Sequence, residues 1–297
     1  MDVTPFTIAM VNRKGGCAKT GTCHQLSGCF AKMGLRVLLV DMDPQASLTQ
    51  GFFGPAATED LPANKTVLAL FDDRLDPDPD KVLLPTQCDG ITILAGANRL
   101  DDYNIPKPTE AGSLQTALRS FIREVHGRFD VTLIDCPPNL HLCSWNALLA
   151  ADFVMVPLQA EDFGAQGITH IQRAIDLALE KYNPQLRMLG YLMTLRQRLA
   201  IHDAYEKQLR HLYGDLVFDA PFPLKKDFKE AIAERLPIHF LRPRSAAAKD
   251  VNRIADEILA RVPAARLRPP EFLHLENRVV GGLERIVGEE LRKAVGA

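Results

Sequence analysis

The sequence predicts an α/β protein: a doubly wound, mostly parallel sheet flanked by helices, with a C-terminal helical extension. Three observations carry this. Thr7 to Gln45 reads as strand, glycine-rich loop, helix and strand, which is a βαβ unit. Short apolar runs then keep alternating with amphipathic stretches as far as Met193, the pattern of parallel strands joined by helices. The groups suited to phosphate and metal fall at the carboxyl ends of those strands, where open α/β sheets place their ligands.

Ile8-Ala9-Met10-Val11 has the length and flanks of a buried strand. Asn12-Arg13-Lys14-Gly15-Gly16-Cys17-Ala18-Lys19-Thr20-Gly21 follows as a loop, and Leu26, Phe30 and Met33 then recur at helical spacing. Gly15 and Gly16 lack Cβ atoms, so the backbone can turn several N–H groups onto one anion at a helix N-terminus. Lys19 brings a positive charge to the β- and γ-phosphates of a nucleotide, and the Thr20 hydroxyl is placed to ligate Mg²⁺. The match to the usual phosphate loop, G-x-x-x-x-G-K-[ST], is incomplete, because its two glycines fall on Arg13 and Ala18. An ordinary strand-to-helix turn is the bland alternative.

The second strand, Val37-Leu38-Leu39-Val40, ends on Asp41-Met42-Asp43-Pro44-Gln45, whose aspartates suit either a metal site or a helix-capping turn. Gly54 to Pro85 is irregular and proline-punctuated, with a short amphipathic helix around Thr66–Phe71. Ile91-Thr92-Ile93-Leu94 is a strand, and Ser113 to Val125 a helix with Leu114, Leu118, Phe121 and Val125 on one face. Phe129 to Asp135 is an apolar strand ending in aspartate, the Walker B arrangement that supports Mg²⁺. A helix from about Leu142 to Ala150, a strand at Phe153–Pro157, a helix from Gly167 to Lys181 and a strand at Leu189–Met193 complete the alternation.

Lys14-Gly15-Gly16-Cys17-Ala18-Lys19-Thr20 resembles the deviant Walker A motif of the ParA/MinD family of P-loop ATPases, K-G-G-x-x-K-[ST]. Asp41-Met42-Asp43-Pro44-Gln45, Asp135-Cys136-Pro137-Pro138, and the stretch from Asn146-Ala147-Leu148 to Val156-Pro157-Leu158-Gln159 resemble the ParA branch in particular. The likeness runs from about Thr7 to about Leu259, with the motifs in family order. It implies a P-loop NTPase fold, ATP and Mg²⁺ as ligands, and a weak ATPase activity stimulated by a partner. Nucleotide binding would fall to Lys14, Gly15, Gly16, Cys17, Ala18, Lys19, Thr20 and Gly21. Lys14 resembles the signature lysine that reaches the partner subunit's nucleotide, so that two protomers close over two ATP molecules. Lys14, Lys19 and Asp43 become the candidate catalytic residues, with Asp43 orienting the attacking water. Thr20, Asp41 and Asp135 become the candidate metal residues. Asp219-Ala220-Pro221-Phe222-Pro223-Leu224-Lys225 resembles loosely the loop over the adenine, which makes Pro223 and Lys225 candidate base-side contacts.

Two departures from the family pattern stand out. Ala18 replaces the usual glycine, which ordinary backbone angles would tolerate. Gly21 replaces a second threonine and should loosen the first helical turn by roughly 1 kcal/mol relative to alanine.

Residues 181–270 contain seventeen Lys and Arg against ten Asp and Glu, a local charge of +7 in a chain of net charge −2. A basic face on a near-neutral protein suits a polyanion. ParA-like relatives bind DNA without sequence preference through this part of the chain. The candidates here are Arg196, Arg198, Lys225, Lys226, Lys229, Arg235, Arg242, Arg244 and Lys249. A solvated helical surface is the alternative, and Asp227 stands where the family pattern has an arginine.

The expected boundaries are a ParA-like ATPase domain over residues 1–262, then a linker and amphipathic helix over 263–297. The linker runs from Val262 to Pro270, and the helix from Asn277 to Val295 carries a stripe of Val280, Leu283, Ile286, Leu291 and Val295. Its polar face mixes Glu284, Glu289 and Glu290 with Arg285, Arg292 and Lys293, which argues against stable membrane association.

No apolar run approaches the roughly 20 residues needed to span a bilayer. Met1-Asp2-Val3-Thr4-Pro5 has no secretory signature. The six cysteines show neither a C-x-x-C pair nor zinc spacing and are expected as free thiols in a reducing cytoplasm. Cys17, at a helix N-terminus, is expected to have a lowered pKa.

The resulting expectation is a cytoplasmic, nucleoid-associated partitioning ATPase that dimerises with ATP, binds DNA and is released on hydrolysis. A centromere-binding or cargo-adaptor protein would stimulate it. Three alternatives stay open: a MinD-like membrane-associated ATPase, a ParA-like positioner of a protein cargo, and an iron–sulfur reductase sharing the loop. The last needs two cysteines at the dimer axis, a pattern that Cys88, Cys136 and Cys143 do not resemble.

Overall fold

Continuous apolar runs need cover on both faces, and the chain supplies it by winding helices over each side of one sheet. The computed structural model describes residues 3–160 and 165–267. In chain order the elements are β1 (Phe6–Met10), α1 (Lys19–Lys32), β2 (Val37–Asp41), α2 (Ser47–Phe53), α3 (Pro55–Glu59), α4 (Pro79–Val82), β3 (Leu83–Pro85) and β4 (Ile91–Leu94). There follow α5 (Ala117–Glu124), β5 (Val131–Asp135), α6 (Leu142–Ala150), β6 (Phe153–Gln159), α7 (Ala165–Lys181) and β7 (Arg187–Arg196). The basic third adds α8 (Ala200–Tyr213), β8 (Phe222–Pro223), α9 (Lys226–Ala233), α10 (Ile238–Leu241) and α11 (Ala246–Leu267).

The strands lie in the order β3-β4-β2-β5-β1-β6-β7-β8, all parallel except β3, which runs antiparallel to β4 at the edge. Successive residues of a strand point to opposite faces, and each face has its own core. Ala9, Val11, Leu38 and Val40 join the cluster under α5, α6, α7 and α8. Ile8, Met10, Val37 and Leu39 join the one under α1, α10 and α11.

The topology positions the site. The connection from β1 through α1 to β2 passes over β5, so β5 lies between the two strands. Met10 pairs with Asp135 on one side of β5, and Asp41 pairs with Asp135 on the other. Three strand ends therefore converge at the phosphate loop.

Several elements differ from the expectation. The stretch from Gly54 to Pro85 is largely short helices, including the one anticipated near Thr66, a 3₁₀ turn at Val67–Leu70 capped by the Thr66 side chain. The helix expected from Ser113 opens as a 3₁₀ turn at Gly112–Thr116 before becoming α5. The expected linker does not begin at Val262, because α11 continues through Pro263 to Leu267. Proline removes one backbone hydrogen bond there, while Val262 and Ala265 stay buried in the core and hold the last turns in place. The rest of that linker and the candidate helix Asn277–Val295 lie outside the described residues. No described helix is long and apolar enough to cross a membrane.

Candidate nucleotide and metal site

The loop between β1 and α1 is tied down by its carbonyls. Asn12, buried at the end of β1, donates its amide to Pro157 O (2.6 Å) and accepts from Lys14 N (3.0 Å). Gln159 at the end of β6 donates to Gly16 O (3.1 Å), and Thr194 on β7 donates its hydroxyl to Cys17 O (2.9 Å). In a trans peptide the N–H points opposite to the preceding carbonyl. Anchoring Gly16 O and Cys17 O therefore turns the N–H groups of Cys17 and Ala18 the other way. Gly16 at φ 78° and Ala18 at φ 62° give the alternation of backbone hand that makes an anion-binding concavity.

Ala18 thus lacks the ordinary backbone angles that would have made it harmless. It caps α1 in the left-handed region, φ 62° and ψ 29°, where a Cβ crowds the following carbonyl. Gly21 has open space around it, since a Cβ there would meet only Ala18 Cβ at 4.0 Å.

Lys19 is buried, and its ammonium donates to Asn12 O (3.1 Å) and Lys14 O (3.0 Å). It is a positive charge held at the start of α1, where the helix dipole also favours an anion. Cys17 is fully buried and donates its thiol to Lys14 O (3.3 Å). Burial pushes its pKa up, with Lys19 only partly opposing. The expected low-pKa thiol is not found, because desolvation outweighs the helix end. All six cysteines are buried and none is disulfide-bonded.

Thr20 Oγ1 donates to Asp135 Oδ2 at 2.6 Å, joining the phosphate loop to the Walker B strand. Asp135 is fully buried, and its other oxygen, Oδ1, has no hydrogen-bond partner. An orphaned carboxylate oxygen costs free energy that a cation would recover. Burial raises the pKa of Asp135 well above the carboxylate range, and Asp41 opposite raises it further. No group of three or more acidic, histidine or cysteine side chains among the described residues could cage a metal alone. That fits Mg²⁺, which keeps waters and phosphate oxygens and takes few protein ligands. Thr20 and Asp135 are therefore the residues suited to it.

Asp41 is placed differently. Its Oδ2 accepts from both Thr49 N (2.8 Å) and Thr49 Oγ1 (2.7 Å), and its Oδ1 from Asp43 N (3.3 Å). Thr49 Oγ1 in turn accepts from Gly96 N at 2.8 Å. A Cβ on Gly96 would come within 2.8 Å of Asp41 Cγ, so only glycine fits there. Burial pushes the Asp41 pKa up to about 6, against the Thr49 hydrogen bonds. Asp43 is half-buried at the mouth, its Oδ1 accepting from Gln45 N at 3.0 Å. Lys14 is exposed on the outer turn of the loop. The structure thus brings Lys19, Thr20, Asp41, Asp43 and Asp135 together. It adds Asn12 and Gln159, which the sequence showed only as parts of the loop and of the ParA-like stretch, and Thr194, Thr49 and Gly96, which carried no signal of their own; Thr49 lies within α2.

The basic candidates separate into two groups. Arg196 is mostly buried and bonded to Asp203 and Glu206 of α8. Lys225 pairs with Asp250 of α11, and Arg242 with Glu230 (2.6 Å) and Asp227 (3.6 Å) of α9. Asp227, at the position of a family arginine, is thus part of a salt bridge. Arg198, Lys226, Lys229, Arg235, Arg244 and Lys249 are exposed and form no ion pair with a described residue. Pro223 on β8 lies beside Arg196, and Lys225 caps α9 rather than reaching outward.

A family model described as an AAA domain matches residues 6–188. Among curated proteins, the chromosome-partitioning ATPase Soj of Thermus thermophilus is 34% identical over 87% of this chain and 97% of its own. The chromosome partitioning protein ParA of Caulobacter vibrioides is 31% identical over 88% of this chain and 97% of its own. Among solved structures, cobyrinic acid a,c-diamide synthase from Mycobacterium smegmatis with bound ATP analogue and magnesium superposes with a TM-score of 0.73. It is 27% identical and covers 91% of this chain and 100% of that one. The ATP complex of a Cyanothece McdA variant has a TM-score of 0.72 at 19% identity, over 88% and 97% of the two chains, a likeness of fold alone.

Proposed function

The chain belongs to the ParA/Soj family of P-loop partitioning ATPases, and from that premise we propose that it is an ATP-driven positioning ATPase whose ATP-closed homodimer binds DNA without sequence preference. Hydrolysis, stimulated by a partner protein, releases it. The cargo is a chromosome or plasmid centromere complex, in keeping with the names of the relatives, or a protein assembly carried on the same cycle.

The observation that carries the nucleotide chemistry is the Thr20–Asp135 hydrogen bond beside the buried Lys19, with Asp135 Oδ1 left over. Lys19 neutralises the β- and γ-phosphates of ATP, and the N–H groups of the loop hold their oxygens. Thr20 and Asp135 hold Mg²⁺, which when bound offsets charge developing on the phosphates. Asp43, at the mouth, orients the attacking water. Asp41, held by Thr49 against Gly96, fixes the turn that presents Asp43. Lys19 already fills the phosphate role within the protomer, and Lys14, exposed on the outer turn, reaches the nucleotide of the partner protomer.

Light scattering with Mg²⁺ and ATP tests the sandwich. Wild type is expected to double its mass, whereas Lys14→Ala binds ATP and stays largely monomeric with little turnover. Normal dimerisation and hydrolysis by Lys14→Ala would remove the cross-subunit lysine from this protein.

A further inference from the structure

At the opposite end of the sheet from the phosphate loop, Phe6 and Thr7 of β1, Thr132 of β5 and Asp152 just before β6 border a cavity of about 220 Å³. Its roof is α5 and the turn that follows, and its far side is the C-terminal end of α6 and the turn after α7. No residue of the nucleotide site lines it.

Its electrostatics are lopsided. Arg119 and Arg123 stand four residues apart on α5, on one helix face, where like charges repel. Neither forms an ion pair with a described residue. Arg119 is half-buried and donates one N–H to Tyr182 O at 2.8 Å, which leaves the rest of its donor fork. Burial and the neighbouring Arg123 hold its pKa below the usual range, with no acidic group opposing. The cavity's one carboxylate, Asp152, is occupied elsewhere: Oδ2 accepts from Thr7 N at 2.8 Å, and burial raises its pKa against that hydrogen bond and the nearby Arg266. Asn183 donates its amide to Leu148 O (3.0 Å) and Ala151 O (2.8 Å) at the end of α6. Two guanidinium groups therefore lack an anion, and beside them Ile122, Phe129 and Leu149 form an apolar wall.

We propose that this cavity binds a small organic carboxylate, its oxyanion held by Arg119 and Arg123 and its apolar body packed against Ile122, Phe129 and Leu149. The guanidinium fork matches a carboxylate in two parallel hydrogen bonds, which a point charge does not. An apolar cavity of about 150 Å³ admits benzene, so this one has room for an acid the size of one small ring. A bare oxyanion would satisfy the arginines but leave the apolar wall uncovered.

The test is a titration of the full chain with benzoate, followed through the amide resonances of Val125, Gly127 and Asp152. Saturable shifts at millimolar benzoate are expected, with weaker binding of inorganic phosphate and none of benzamide, the neutral isostere. Arg123→Ala, a change at an exposed position, is expected to weaken benzoate by about tenfold, the usual scale for losing a charge-assisted hydrogen bond. Arg119→Lys, which keeps the charge and removes the fork, should weaken it comparably. Absence of saturable shifts, equal binding of benzamide or phosphate, or unchanged benzoate affinity in both variants would each overturn the proposal.

Discussion

Ala18 shows how much a single backbone angle decides. At φ 62° an alanine bears a steric penalty that glycine escapes, about 1 kcal/mol by the usual cost of the left-handed region. Its carbonyl accepts from Thr22 N (2.9 Å) and Thr22 Oγ1 (2.7 Å), which helps hold it there. Ala18→Gly is expected to raise the stability of the protein by about 1 kcal/mol, read as a higher denaturant midpoint at unchanged slope. An unchanged or lower midpoint would mean that the loop is not strained at this residue. The chemistry of this loop was legible in the sequence, since Gly15, Gly16, Lys19 and Thr20 announce a phosphate site by type and spacing. The strain at Ala18 was not, because residue type does not report φ. Nor was the raised pKa of the Cys17 thiol, which follows from a burial that depends on neighbours distant in the chain.

At the scale of the element, α1 is nearly enclosed, from the sheet on one side and α2, α10 and α11 on the others. That enclosure puts His24 out of water. Its Nε2 faces Gly51 O at 3.2 Å, its Nδ1 faces Gln25 Nε2 at 3.1 Å, and its ring packs on Phe52 at 4.6 Å. Neutral histidine satisfies both neighbours by donating from Nε2 and accepting at Nδ1; the charged form would place a donor against the Gln25 amide. Burial accordingly lowers its pKa to about 4. The unfolded chain binds this proton below about pH 6.5 and the folded one only near 4, so the unfolded state gains protons first. The stabilisation is fully present above about pH 6.5 and is lost as pH falls towards 4. Asp41, whose pKa is raised by burial, works in the opposite sense, so the wild-type curve alone does not isolate His24. The difference between wild type and His24→Gln does. That difference should shrink by up to about 3 kcal/mol between pH 7 and 4, and a flat difference would show that His24 titrates alike in both states.

The same scale shows which elements were readable. The central strands were, because each is a continuous apolar run bounded by turn residues. The edge strand β3 and the two-residue β8 are too short to leave a pattern, and they exist because β4 and β7 offer them unpaired backbone. Pro263 looked like the start of a linker, but burial of its neighbours in α11 outweighs one missing hydrogen bond. The clasp of Thr49 and Gly96 on Asp41 joins α2 to the end of β4 and had no local signal.

At the scale of the whole molecule, the excess positive charge of the last third is partly neutralised within its own fold. Arg196, Lys225 and Arg242 each hold an acidic partner on a neighbouring helix, so charge counted along the sequence overstates charge offered to a polyanion. The exposed cations without described partners include Lys226 and Lys229 on α9 and Arg244 and Lys249 near the start of α11. If the ATP-bound dimer holds DNA through its phosphates, these side chains should carry the salt dependence. Reversing Arg244 and Lys249 to glutamate is expected to weaken ATP-dependent DNA binding for every sequence alike. The slope of log affinity against log salt should also flatten, by about 1 for each phosphate that is no longer neutralised. ATP affinity should stay as in wild type, since neither residue forms a hydrogen bond or ion pair with a described residue of the phosphate loop. Reversal of Lys225 should act first on folding stability, because it sets a carboxylate against Asp250 where a largely buried ion pair stood; reversal of Arg242 sets one against both Glu230 and Asp227 on an exposed face, where the cost is smaller. The comparison is made on one set of filter-binding titrations across salt, with Asp43→Ala included, which is expected to keep the dimer closed on ATP if Asp43 orients the attacking water. A slope insensitive to Arg244 and Lys249, in a protein that still closes on ATP, would move the DNA surface off this part of the molecule.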